Sequence, residues 1–174
     1  MKSLVVGGGC FWCIDAVFRQ FQGVKASVCG YAGGHTQNPD YRSVCSGTTG
    51  HHEVVRVEFE ESVIGEDAIL DIFFAAHDAT SWDQQGADRG SQYRSVLLYS
   101  SDEQKAAFEA AKERAQSFFD APVVTEIKPL TEFWEAEAYH QDYYAKNPYQ
   151  GYCSVVVGPK VAKVRKQYAH LLKD

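Results

Sequence analysis

The 174-residue sequence has no long hydrophobic run, no proline- or serine-rich linker and no internal repeat. The apolar stretch near the N-terminus, from Leu4 to Val6, gives way at once to three glycines, so it is too short for a signal peptide or a membrane span. Nothing marks a domain boundary, and a chain of this length forms one core. We therefore expect a single domain over residues 1–174, in the cytoplasm and not bound to a membrane.

The chain also lacks an excess of positive charge. Its formal net charge is -6 at pH 7, whereas domains that bind nucleic acid usually carry a basic surface or stripe. One basic run near the C-terminus is typical of the solvated face of a helix, and it consists of Lys160, Lys163, Arg165 and Lys166. We therefore expect no nucleic-acid partner, and we expect a monomer.

Cysteine, in contrast, is present five times in a chain with no secretory signal, which favours reduced thiols over a disulfide framework. Cys10 follows three glycines and begins a predicted helix, in which apolar residues recur at helical spacing up to Phe21. The exposed N–H groups and the positive dipole end of a helix start lower the pKa of a thiol, so Cys10 is a candidate nucleophile. Phe11 and Trp12 place two aromatic rings beside it, which suits a small apolar group that contains sulfur.

Other interpretations of Cys10 stay open at this level. It could be a small core residue behind a tight turn, or a redox switch without turnover. With Cys13 it forms a C-x-x-C pair, as in a general thiol-disulfide oxidoreductase or a thiol peroxidase. A zinc site is disfavoured, because there is no second C-x-x-C and His51 and His52 lack the usual ligand spacing. We expect no metal and, since no flavin or nucleotide motif occurs, no bound cofactor.

The hydrophobic periodicity predicts an α+β fold. Strands are expected at residues 4–6, 24–28, 53–59, 93–99 and 123–127. Helices are expected at residues 68–77, 102–119 and 132–146 and from about Pro159, and loops at residues 30–34, 36–41 and 81–90. Glu53 shares the parity of the apolar residues of its strand, so its carboxyl should face the buried side and have a raised pKa. We expect a mixed sheet flanked by helices and long loops, with a two-layer ferredoxin-like core.

Several segments together resemble one family. The segment from Gly9 to Trp12 is similar to the nucleophile motif of the A-type peptide methionine sulfoxide reductases. Five further segments resemble that family in its own order, namely residues 30–34, 38–41, 44–53, 92–95 and 150–153, so the match covers nearly the whole chain. The resemblance implies an enzyme that reduces the S epimer of methionine sulfoxide, free or in proteins, and thereby repairs oxidised proteins.

The resemblance also implies how the sulfoxide is reduced. Cys10 attacks the sulfur and becomes a sulfenic acid, and Glu53 protonates the oxygen. The oxygen is a poor leaving group, so a carboxyl that stays protonated near neutral pH is required beside it. Tyr41 and Tyr93 match the tyrosines that hydrogen-bond the oxygen, and Asp88 matches the acidic residue of the polar loop.

Phe11 and Trp12 match the pocket for the methyl group of the substrate. The sulfenic acid must then condense with a second thiol. Cys153 matches the resolving position, in a Gly-Tyr-Cys segment that we predict to be a mobile loop. Cys13 lies one helical turn from Cys10 and is the alternative, and a later exchange between Cys13 and Cys153 stays open.

The resulting disulfide must be reduced from outside the chain. The resemblance implies thioredoxin as the reductant, which dithiothreitol replaces in vitro. An extra cysteine that the family often has beyond the Gly-Tyr-Cys segment is absent here, since residues 154–174 contain none. We interpret Cys29 and Cys45 as buried thiols.

Overall fold

A computed structural model describes residues 1–173, and a six-stranded sheet organises it. The strands are β1 (Lys2–Gly7), β2 (Val24–Ala32), β3 (His52–Phe59), β4 (Gln84–Gln85), β5 (Asp88–Arg89), β6 (Val96–Tyr99), β7 (Glu126–Pro129) and β8 (Phe133–Glu135). The helices are α1 (Phe11–Phe18), α2 (Tyr41–Cys45), α3 (Glu66–Ala75), α4 (Asp102–Gln116), α5 (Tyr143–Lys146) and α6 (Gly158–Gln167). The sheet order is β7-β6-β1-β3-β2-β8, with β4 and β5 forming a separate hairpin.

The sheet is mixed, as predicted. Strands β6 and β7 pair in parallel, and the other neighbours in the sheet pair antiparallel. The central strands follow the order β6-β1-β3-β2 with α1 between β1 and β2 and α3 between β3 and β6. This is the split βαβ arrangement of a ferredoxin-like core. The α+β prediction is therefore confirmed.

Apolar side chains are buried on both faces of strand β3. Val55 and Val57 belong to the main core, where the sheet packs on the helices, together with Phe18 of α1 and Phe73 of α3. Val54 points the other way and joins a smaller cluster on the opposite face. The main core is what fixes α1, and hence the cysteines of its first turn, against the sheet.

Two predicted segments differ from the structure near strand β2. Gly30 to Ala32 continue β2 instead of beginning a loop, because β8 pairs with them and the ring of Phe133 covers Gly30 so closely that a Cβ would lie 2.3 Å away. The helix predicted at residues 132–146 is wrong. This segment forms β8, a 3-10 turn at Ala138–His140 and only then α5. The side-chain amide of Gln141 holds it beside β2, since it accepts the backbone N–H of Cys29 and donates to the carbonyl of the same residue.

Other element bounds shift. The predicted strand at residues 93–99 begins at Val96 after a 3-10 turn, and the strand at residues 123–127 lies at Glu126–Pro129. The loop at residues 81–90 contains the β4–β5 hairpin. The predicted mobile loop at Cys153 is wrong: residues Cys153–Val157 form a π-helical turn that leads directly into α6. Within residues 1–173 no helix is long and apolar enough to cross a bilayer.

Candidate active site

Glycines place Cys10 at the start of α1. Gly9 has φ +84°, a conformation that favours glycine, and its N–H donates to the carbonyl of Tyr93 at 3.1 Å. A Cβ on Gly8 would lie 2.8 Å from the ring of His77, so that position also has to be small. Cys10 follows with φ -63° and ψ 130° as the N-cap residue. The predicted position of Cys10 is therefore confirmed.

Burial, rather than the helix start, has the largest effect on the pKa of the Cys10 thiol. Burial raises its pKa well above the ordinary range, and the charges of Glu53 and Cys13 raise it further. The backbone N–H of Trp12 lowers the pKa, which is the expected effect of the helix start, but burial outweighs it. The helix start therefore favours the Cys10 thiolate, as expected, against the larger effect of burial.

Glu53 lies on β3 beside the first turn of α1, and only 1% of it is exposed. Its Oε1 accepts the N–H of Phe11 at 3.1 Å, and its Oε2 is buried with no partner among residues 1–173. Burial raises the pKa of Glu53 to about 8, opposed by the Phe11 N–H and assisted by the charge of Asp88. Glu53 is thus a protonated carboxyl at neutral pH with one unpaired oxygen, as its strand parity predicted.

Tyr41 and Tyr93 both lie near Glu53, since its charge contributes to the raised pKa of each phenol after burial. Tyr41 begins α2, whose start is fixed by hydrogen bonds between Asp40 and Ser43. Its backbone N–H donates to Oε2 of Glu137 at 2.9 Å. With pKa values raised, both phenols keep their protons and can donate to an oxygen.

Asp88 also belongs to this cluster. It lies on β5, and its Oδ2 accepts a hydrogen bond from the hydroxyl of Tyr152 at 2.5 Å. Its negative charge contributes to the raised pKa of Cys10, Cys13 and Glu53. The β4–β5 hairpin therefore brings an acidic group to the thiols.

Aromatic side chains line the start of α1. Trp12 is half-buried and stacks on Tyr143, with ring centroids 3.8 Å apart and an interplanar angle of 3°. Tyr152 meets the Trp12 ring edge-on at 5.9 Å. Phe11 is buried, with its ring centroid 5.6 Å from that of Tyr31. Aromatic rings thus pack around the start of α1, next to Cys10.

All five cysteines are free thiols in this structure. Cys13 is buried at the third position of α1, and burial raises its pKa to about 11, with the charge of Cys153 contributing. Cys153 is buried as well, and its N–H donates to Gln150 at 3.0 Å. Cys29 is buried as predicted, whereas Cys45, the last residue of α2, is partly exposed, contrary to prediction.

The sequence did not single out four side chains that the structure places at this site: Glu137, His140, Tyr143 and Tyr152. The first three lie in the segment that was predicted to be one helix, and their spacing of three residues is itself compatible with one face of a helix. Their polar and aromatic composition was the available signal. His51 and His52 instead support loops, through Gly34 N–H and the carbonyl of Ser91. Residues 1–173 contain no cluster of potential metal ligands.

Comparisons with known proteins agree with this geometry. The family model described as "Peptide methionine sulfoxide reductase" matches residues 2–172. A protein of Paenarthrobacter aurescens (strain TC1) named peptide methionine sulfoxide reductase MsrA is 58% identical over 169 residues, which are 97% of each chain.

Solved structures are similar as well. The crystal structure of Mxr1 from Saccharomyces cerevisiae in reduced form has a TM-score of 0.83 and 34% identity, covering 87% of this chain and 88% of that one. Mxr1 in complex with Trx2 has a TM-score of 0.59 and 25% identity, covering 82% and 84%. With a family model over almost the whole sequence and relatives of this similarity, the chain belongs to the A-type peptide methionine sulfoxide reductases.

Proposed function

We propose that this chain reduces the S epimer of methionine sulfoxide, free or in proteins, with Cys10 as the nucleophile and Glu53 as the acid. The neutral Glu53 carboxyl beside the Cys10 thiol is the observation that carries this proposal. Its unpaired Oε2 is a buried donor without an acceptor, and a sulfoxide oxygen is an acceptor that needs a proton. In a protein that used Cys10 only for packing, such an acid would serve no purpose and would lower stability.

The first step transfers oxygen from the substrate to Cys10. Cys10 loses its proton to solvent, and its thiolate attacks the sulfoxide sulfur while Glu53 protonates the oxygen. The oxygen then passes from the methionine sulfur to the Cys10 sulfur, so the substrate S–O bond and the transient bond between the two sulfurs both break. The methionine sulfur has gained two electrons and leaves as a thioether, and Cys10 has lost two electrons and carries the oxygen as a sulfenic acid. Glu53 then regains a proton from solvent. Tyr41 and Tyr93 stabilise the oxygen by hydrogen bonds during the transfer.

Binding of the substrate supplies what the unliganded site lacks. The sulfur of a sulfoxide carries a partial positive charge, which favours a thiolate beside it. An ionised Glu53 raises the Cys10 pKa, but Glu53 is mostly protonated at pH 7, so this opposition to the thiolate is small there. The Trp12 N–H favours the thiolate. Phe11 and Trp12 receive the methyl group, since sulfur and methyl groups pack favourably against aromatic rings. Activation of Cys10 thus depends on a bound sulfoxide.

A second thiol resolves the sulfenic acid and releases water, leaving a disulfide. We propose Cys153 for this role, with Cys13 as the alternative. The position of Cys13 supports the alternative, because Cys10 is the N-cap of α1 and Cys13 is the third residue of that helix. Cys153 lies close enough to Cys13 for its charge to raise the Cys13 pKa, so exchange between these two is also open. Trapping the disulfide after one turnover and mapping it by mass spectrometry will identify the pair that forms.

Thioredoxin is the proposed reductant of that disulfide, and dithiothreitol can replace it in vitro. The crystal structure of the relative Mxr1 in complex with Trx2 supports this partner. No bound cofactor is needed, because the dithiol supplies the two electrons. We further propose that the chain acts as a monomeric single domain in the cytoplasm, where it repairs oxidised proteins; its free thiols fit a reducing compartment.

The function is tested by incubating the protein with N-acetyl methionine sulfoxide and dithiothreitol and measuring the methionine product of each epimer. We expect turnover of the S epimer by the wild type and by Cys29→Ala, a control that removes a thiol with no role in the proposed chemistry. We expect none by Cys10→Ser. Full turnover by Cys10→Ser, or none by the wild type, would disprove the proposal. If the protein were instead a general thiol-disulfide oxidoreductase, the wild type and Glu53→Gln would reduce a model disulfide at the same rate.

A further inference from the structure

His140 is fully buried beside the aromatic pocket, and its ring holds Trp12 through a hydrogen bond. The indole N–H of Trp12 donates to Nδ1 of His140 at 3.0 Å. An indole nitrogen is a donor only, so Nδ1 must present its lone pair. The imidazole is therefore neutral and carries its proton on Nε2.

The other contacts of His140 are with rings. Its centroid lies 4.9 Å from that of Phe11, 4.7 Å from that of Tyr41 and 4.0 Å from that of Tyr139. Its Nε2 is buried with no partner among residues 1–173. A buried donor without a partner is costly, so a residue needed only for packing would be better apolar. What the imidazole offers and an apolar side chain does not is the acceptor at Nδ1.

The hydrogen bond to His140 is the directional polar contact of the Trp12 ring, in addition to its stack on Tyr143 and its edge-on contact with Tyr152. The stack on Tyr143 is almost parallel, which fixes the plane of the indole. Parallel rings can still slide and turn within that plane, since stacking has little directional preference in it. A hydrogen bond at one edge of the indole removes that freedom. Together the two contacts set both the plane and the rotation of Trp12.

We propose, on the basis of the function stated above, that His140 is a positioning residue that fixes the Trp12 indole in the orientation that receives the methyl group of the sulfoxide. The acceptor exists only while the ring is neutral, since an imidazolium donates from both nitrogens. Burial keeps the His140 pKa below its ordinary value; the nearby charge of Glu137 opposes this shift and that of Lys146 assists it. His140 contributes to substrate binding through Trp12, without taking part in the chemistry.

Two substitutions separate the acceptor from the bulk of the side chain. His140→Leu keeps the volume and loses the acceptor, whereas His140→Asn places an amide oxygen near the position of Nδ1. We expect His140→Leu to raise KM for the free sulfoxide about 10-fold, the effect of roughly one hydrogen bond, with kcat little changed. His140→Asn should restore most of the wild-type KM. The exposed His170→Asn is the matched control.

A double-mutant cycle with Trp12→Phe makes the test specific, because phenylalanine has no N–H to donate. In that background His140→Leu should have no further effect on KM. In the wild-type background, the indole N–H resonance of Trp12 should lose its protection from exchange in His140→Leu and regain it in His140→Asn. The proposal is overturned if His140→Leu binds the sulfoxide as the wild type does, if His140→Asn is as impaired as His140→Leu, or if the two effects add fully in the cycle. A wild type without sulfoxide reduction would disprove the proposed function instead.

Discussion

Glu53→Gln should make the protein more stable at alkaline pH while removing its activity. Glutamine has nearly the same shape, and its side-chain oxygen can still accept the Phe11 N–H. The substitution therefore leaves packing almost unchanged and removes only the titrating proton. This separates the two consequences of burying a carboxyl at the site, which are acid catalysis and a loss of stability.

The magnitude follows from the raised pKa. The unfolded chain releases the Glu53 proton above about pH 4.5, whereas the folded protein keeps it up to about pH 8. The folded state binds more protons in this window, so the stability of the wild type falls as the pH rises through it. Each pKa unit corresponds to about 1.36 kcal/mol, and Glu53 is 1% exposed, so solvent hardly screens it. Between pH 5 and pH 8 the wild type should lose roughly 3.5 kcal/mol that the glutamine variant keeps.

Urea denaturation of both proteins at several pH values, with dithiothreitol present, measures this difference directly. Single-turnover kinetics on the same samples should show the reduction step slowed by about 10²–10⁴ in Glu53→Gln. In the wild type the rate of the reduction step should fall above pH 8, because Glu53 ionises there. A stability difference that does not change with pH would refute the raised pKa. An unchanged reduction rate would refute the role of Glu53 as the acid.

Three further predictions concern the two tyrosines near Glu53, the buried Asp15 of α1 and the turn before Cys10. Tyr41→Phe and Tyr93→Phe each remove one donor to the sulfoxide oxygen and should each slow the single-turnover rate by about 10²-fold; an unaffected rate would exclude that tyrosine from oxygen stabilisation. Asp15 is 1% exposed and accepts hydrogen bonds from a hydroxyl, a guanidinium and a backbone N–H, so Asp15→Ala should lower the free energy of unfolding by about 3 kcal/mol in urea. Gly9→Ala forces a side chain into φ +84° and should cost about 1–3 kcal/mol and lower kcat as well; wild-type values of both would show that the turn does not position Cys10.

The parts of the fold that the sequence predicted are those with a regular local pattern. The glycine run before Cys10, the helical spacing after it and the alternation around Glu53 each need only a short window, and each was confirmed. Burial of Glu53 and its raised pKa followed from parity alone. Tertiary pairing decided the parts that failed. The segment containing His140 has a helix-compatible composition, but β8 pairs with β2 and Gln141 bonds the Cys29 backbone.

The balance of effects on the pKa of Cys10 could not be predicted from a local pattern either. A helix start lowers the pKa of a thiol, and the structure retains that effect through the Trp12 N–H. Sequence offers no measure of how much water is excluded from the thiol, and here burial outweighs the helix start. The partial exposure of Cys45 could not be predicted for the same reason, since it depends on how completely neighbouring segments cover a short helix.

Burial has opposite consequences for the two groups that meet at the site. It raises the pKa of both, which favours the protonated Glu53 that an acid requires and disfavours the Cys10 thiolate that a nucleophile requires. In a more exposed site Cys10 would ionise more readily, but Glu53 would also lose its proton at a lower pH. The arrangement is consistent only if the substrate itself favours the thiolate, because its positive sulfur meets Cys10 while its oxygen meets Glu53.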